Sequence, residues 1–118
     1  MKVYDLAHNL AREIKKADEY RSYLEVRDKI KDNPATMEIL RDFQKEQFII
    51  QSKALTGEKI TEEEKEKFVR LMEIVNLNKD IKKYLEAEYR ISAMLNDIQE
   101  ILFGDLQLGF GKEEKHPE

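Results

Sequence analysis

His8 is the side chain in this sequence best placed for acid–base or metal chemistry. Asp5 stands three residues before it and Arg12 four after, so on a helix a carboxylate can orient its imidazole. A metal centre needs three or four ligands, however, and the second histidine, His116, lies in the C-terminal tail with no His-x-x-His spacing. Di-metal carboxylate bundles place Glu-x-x-His on two helices, and this chain has no such pair. Ser22, Ser52 and Ser92 have no histidine within helical reach to serve as base, and no glycine-rich loop runs into Lys-Ser or Lys-Thr to cradle a phosphate. The lack of cysteine removes disulfides, thiolate nucleophiles and thiolate-bound zinc or iron–sulfur clusters together. The expectation is a chain with no catalytic residues, no resident metal and no cofactor.

Glu88 interrupts the strongest pattern in the sequence. Leu77, Ile81, Tyr84, Glu88, Ile91, Leu95, Ile98 and Leu102 recur in steps of four and three, with Leu85, Met94 and Ile101 beside them, which is a helical stripe wider than a bare coiled-coil seam. A carboxylate inside such a stripe is costly to bury and persists when it is paired, protonated or able to reach solvent at a rim. Arg27, Arg41, Lys45 or a basic group of a second copy are its candidate partners. Lys79, Lys82, Lys83 and Arg90 make a basic row on the same helix, yet Asp80, Glu86 and Glu88 dilute it, and Glu86 with Arg90 forms an ordinary i,i+4 surface pair.

The elements that must position these groups follow from composition and spacing. Of 118 residues, 39% are charged against a usual ~25%, while four glycines and two prolines leave little turn chemistry, so the chain reads as long solvated helices. The 25 acids and 21 bases nearly balance, giving a net charge of −4 and no whole-molecule attraction for phosphate, so nucleic acid is not the default partner. No apolar run approaches the ~18 residues of a membrane span and no signal-peptide core follows Met1, so the reading is cytoplasmic with no membrane partner.

Val3, Ala7, Leu10, Ile14 and Ala17 predict a first helix, and Asp18 an N-cap for a second reaching about Lys31, with Tyr20, Tyr23, Leu24 and Ile30 inward. Asn33-Pro34 opens a third, carrying Met37, Leu40, Phe43, Ile50 and Ala54 inward and ending at Gly57. Thr61 with Glu64 is a capping box for a fourth, and Asn76-Leu77-Asn78 is either a break capped by Asn78 before the long last helix or the interior of one continuous helix, which Gly104 ends. The fold expected is all-α, a small bundle of about five helices built around a long C-terminal helix and a helical hairpin. A single domain over residues 1–104 precedes a disordered tail over 105–118.

Pro34 and Phe43, then Gly57-Glu58-Lys59-Ile60-Thr61-Glu62-Glu63, then Tyr84-Leu85-Glu86-Ala87-Glu88-Tyr89-Arg90 entering an apolar helix, carry a resemblance. From Val3 to Phe103 the chain resembles the YheA-like branch of the bacterial YlbF/YmcA superfamily. The resemblance implies a small all-α protein that dimerises. Its YlbF and YmcA cousins look like non-enzymatic adaptors in Bacillus-type development and competence. They are linked to regulation of an RNA-degrading endonuclease, and some bind iron–sulfur clusters through cysteines that this chain lacks.

Together these readings favour a non-enzymatic interaction or adaptor protein with a regulatory role, working as a homodimer. Apolar stripes on the third and last helices make Leu40, Phe43, Ile50, Ile91 and Leu95, together with Glu88 and Arg90, the expected interaction residues. The competing readings are an RNA-associated regulator acting with an RNA-degradation complex, and an enzyme whose site forms only in the dimer.

Overall fold

Local backbone chemistry sets where each helix starts and stops. The computed structural model describes residues 1–108 and contains α1 (Lys2–Lys16), α2 (Asp18–Ile30), α3 (Pro34–Thr56), α4 (Glu62–Leu77) and α5 (Lys79–Gly104). No strand occurs among the described residues, so the all-α class holds. The expected disorder of the tail falls mainly on residues 109–118, which lie outside the described residues.

The Asn33 side chain accepts from the Thr36 N–H at 3.2 Å, with Pro34 at the first helical position. Gly57 closes α3 at φ 81°, the left-handed conformation that glycine takes without a Cβ penalty. Thr61 and Glu64 form the full capping box, Glu64 N–H to Thr61 Oγ1 at 3.0 Å and Thr61 N–H to Glu64 Oε1 at 2.9 Å. Asn78 is extended and its side chain accepts from the Ile81 N–H at 3.0 Å, so one residue ends α4 and caps α5. Asp18 is not a cap: the extended residue is Ala17, and Asp18 and Glu19 lie in the first turn of α2, where their charge suits the positive end of the helix dipole.

Residues 24–85 form one compact unit. Its core is Ile30, Leu40, Phe43, Val75 and Ile81, with Met37, Ile39, Phe68, Leu71, Tyr84 and Leu85 packed around it. The α3–α4 hairpin supplies most of this. The Phe43 and Phe68 rings stack with centroids 5.5 Å apart. Two ion pairs cross the hairpin: Lys53 Nζ to Glu64 Oε2 at 2.7 Å near the turn, and Lys67 Nζ to Glu46 Oε2 at 3.1 Å further along. Glu46 is buried, a carboxylate among core residues that survives because Lys67 reaches it while staying half in solvent.

Residues 1–23, with the described residues from Glu86 on, form the other unit. Its buried apolar positions are Ala87 and Ile91, both on α5, while α1 buries no residue.

The long stripe does not begin at Leu77. That residue is the last of α4 and 88% exposed, whereas Ile81 is fully buried, because the Asn78 break resets the helical phase and a count carried across it loses its meaning. Truncation should expose the difference. Ile81→Ala is expected to cost roughly 2–5 kcal/mol in a denaturant melt, while Leu77→Ala stays within about 0.5 kcal/mol of wild type.

The Glu64 carboxyl is held below its ordinary range, first by the hydrogen bond from Lys53 and then by the Thr61 backbone N–H. A depressed carboxylate pKa contributes stability that is present above the unfolded value and lost as pH falls through the folded one. Glu64→Gln should therefore melt lower than wild type at neutral pH, and the gap should close as both are acidified through the carboxylate range. A gap that persists at low pH would assign the effect to something other than the charge.

Candidate interaction site

Five apolar or aromatic side chains surround one carboxylate in the unit built from residues 1–23 and the segment from Glu86 on. Ile14 of α1, Tyr20 and Tyr23 of α2, and Glu88, Ile91, Ser92 and Leu95 of α5 line a cleft of about 300 Å³. Helical spacing explains the grouping: Glu88, Ile91, Ser92 and Leu95 stand three and four apart and so share one face, as do Tyr20 and Tyr23. Ile91 is buried, Glu88 half-buried and Leu95 45% exposed, so the cleft grades from a dry floor to a wet rim.

What this arrangement can do chemically follows from its polar atoms. It holds a carboxylate, a hydroxyl and two phenols among apolar walls, but no imidazole to activate Ser92. The chemistry of this lining suits an apolar group with a hydrogen-bond donor or positive charge beside it. Among the described residues, no three His, Asp or Glu side chains converge as a metal ion would require. His8 is exposed on α1, and His116 lies outside the described residues.

The expected interaction residues separate into three environments. Glu88, Ile91 and Leu95 meet at the cleft, and Arg90 stands exposed on another face of α5. Leu40 and Phe43 are core residues at 3% and 4% exposure, and Ile50 is half-buried. The apolar stripe of α3 is thus turned inward, with Leu40 and Phe43 buried in its unit's core, and the large apolar groups that α3 leaves in solvent are Phe48 and Leu55. Lys79, Lys82 and Lys83 are exposed, and Arg27 approaches its neighbour Asp28 at 3.5 Å. Glu46 was missed by pattern reading, though its spacing of three from Phe43 and six from Leu40 is a legible signal.

A small all-α protein with an acidic group set in an apolar cleft is the class that these features define. The chain belongs to the YlbF/YmcA family: the family model described as control of competence regulator ComK, YlbF/YmcA, matches residues 3–107. It is 58% identical to a UPF0342 protein of Halothermothrix orenii over 98% of both chains. A UPF0342 protein of Symbiobacterium thermophilum is 40% identical over 85% of this chain and 89% of its own. Among solved structures, a protein of unknown function (DUF964) from Bacillus stearothermophilus superposes with a TM-score of 0.70, covering 90% of this chain and 93% of that one. At 16% identity that likeness establishes the fold. Among the described residues no helix is long and apolar enough to cross a membrane.

The cleft floor tolerates neutral polarity better than new charge. Glu88→Gln, which keeps a hydrogen-bonding tip, should melt within about 1 kcal/mol of wild type, whereas Ile91→Asp places an unpaired carboxylate in a buried position and should lose roughly 3 kcal/mol or more. Equal melts for the two variants would show that the cleft is open to water throughout.

Proposed function

We propose that this protein is a non-enzymatic adaptor with a regulatory role in the bacterial cytoplasm, working as a homodimer that presents helix faces to protein partners. The observation that carries this reading is the number of large apolar side chains left in solvent. Val3, Leu6, Phe48, Leu55, Ile101 and Leu102 are each more than half exposed. Each of these side chains would gain by leaving water, so exposure of this many favours association. The competence-regulator description of the family supports a regulatory role, and the cleft at Glu88 supports recognition in place of catalysis.

Light scattering coupled to gel filtration at micromolar concentration tests the self-association directly. The expected mass is twice the 14.0 kDa of one chain. A monodisperse 14.0 kDa species would remove the homodimer and leave the apolar groups to a different protein.

A further inference from the structure

On α5 the cleft at Glu88 is the start of a longer track. Leu95 and Leu102 stand seven and fourteen residues after Glu88. Seven residues advance a helix by about 10.5 Å with a drift of only ~20°, so the three side chains line one face. The cleft takes in Glu88, Ile91, Ser92 and Leu95 but stops short of Leu102. Exposure rises along the same line, from the buried Ile91 through Leu95 at 45% to Leu102 at 53%. Ser92, Asn96 and Gln99 border the track, exposed and uncharged, while Arg90, Asp97 and Glu100 fall on other faces of the helix. Glu88 is thus the one formal charge that α5 itself contributes to this face between residues 88 and 102.

We infer that this track seats an amphipathic helix of a partner protein, which sets an arginine over Glu88 and apolar side chains one and two heptads away over Leu95 and Leu102. The inference rests on the reading of the protein as one that presents helix faces to protein partners, and it names the chemistry of that partner. Charge complementarity selects the occupant. A parallel pair of α5 helices from two copies would set Glu88 beside Glu88, and an antiparallel pair centred on Leu95 would lay Leu102 over Glu88. Either arrangement covers a carboxylate without supplying a cation, which is costly. A partner helix with a cation at that heptad position and apolar groups at the next two meets the opposite condition. Arginine suits the place better than lysine. Its apolar stem can pass the walls of Ile91 and Leu95 to reach a half-buried carboxylate, where the guanidinium offers two parallel N–H donors. Its flat face also stacks on phenol rings, and Tyr20 and Tyr23 line the same cleft. One polar contact at a fixed heptad position then sets the register of the docked helix.

A display library of helical peptides about three heptads long, with one position of each heptad randomised over all amino acids, tests the inference on the full chain. Peptides recovered on wild type should carry arginine at the first or last randomised position and leucine, isoleucine, methionine or phenylalanine at the other two. Fluorescence anisotropy of the best peptide then reads its affinity. Glu88→Gln and Leu102→Glu should each weaken binding on the order of 10-fold or more, with circular dichroism verifying that the helices are intact. Glu88→Lys should abolish binding, and replacing the peptide's arginine with glutamate should restore it. Recovery of no peptide, of peptides without a cation, or of peptides indifferent to Glu88 and Leu102 would overturn the inference. Such a result with a wild type that still runs as a dimer in light scattering would leave the homodimer standing. Peptide binding that disappears as the chain self-associates would assign the track to a second copy and overturn the separate partner. A monomeric wild type that selects the arginine helices would remove the homodimer and uphold this inference.

Discussion

The Glu64 carboxylate is the constraint on which the unit formed by residues 24–85 depends. One oxygen accepts the Thr61 backbone N–H and so fixes the first turn of α4; the other accepts Lys53 from the last turns of α3. A single side chain thus determines where α4 begins and ties that start to the preceding helix. Once the turn is set, the register of the antiparallel pair follows, bringing Phe43 onto Phe68 and Glu46 within reach of Lys67. The two ion pairs contribute differently. The Lys53–Glu64 pair is a clamp at the turn with about three-quarters of each side chain shielded, while Glu46 is a buried anion whose partner keeps solvent contact. Removing Lys67 would strand a buried charge, so this pair fixes register more than it adds net stability.

The unit formed by residues 1–23 and the segment from Glu86 on has a much smaller buried core among its described residues. Its buried apolar positions are an alanine and an isoleucine, and its first helix has no buried residue at all. Hydrophobic burial is the main term that offsets chain entropy, so a unit this poor in core is expected to open locally at much lower free energy than residues 24–85. Val3, Leu6, Ile101 and Leu102 of this unit are more than half exposed. These hydrophobes contribute nothing to the stability of the single chain, in contrast to the buried positions of residues 24–85.

Local chemistry was legible and the assignment of faces was not. Asn33-Pro34, Gly57, the Thr61–Glu64 box and Asn78 each act within four residues, so they could be read directly, and the structure places hydrogen bonds or a left-handed φ at each. Leu77 was misread because periodicity was extended through the very residue that interrupts the helix. Leu40 and Phe43 were expected at an interface because an amphipathic stripe states that a face will be covered without saying by what. Glu46 is a violation of the same kind as Glu88, three residues after Phe43 and four before Ile50. Pattern reading weighs a charge by the regularity around it, whereas burial depends on which neighbour lies across the gap, and that neighbour, α4, is distant in sequence.

Glu88 illustrates how one charge in an apolar cleft can govern partner choice without any chemistry. The walls contributed by Ile14, Tyr20, Tyr23, Ile91 and Leu95 attract many apolar groups almost equally, since burial of apolar area is non-directional. Covering the half-exposed carboxylate is a different matter, because an incoming surface must preserve or replace its hydrogen bonds or else leave a desolvated charge, at several kcal/mol. For any occupant of such a cleft, apolar fit would supply the attraction and Glu88 would penalise a mismatched surface, so discrimination would come from a cost imposed on competitors.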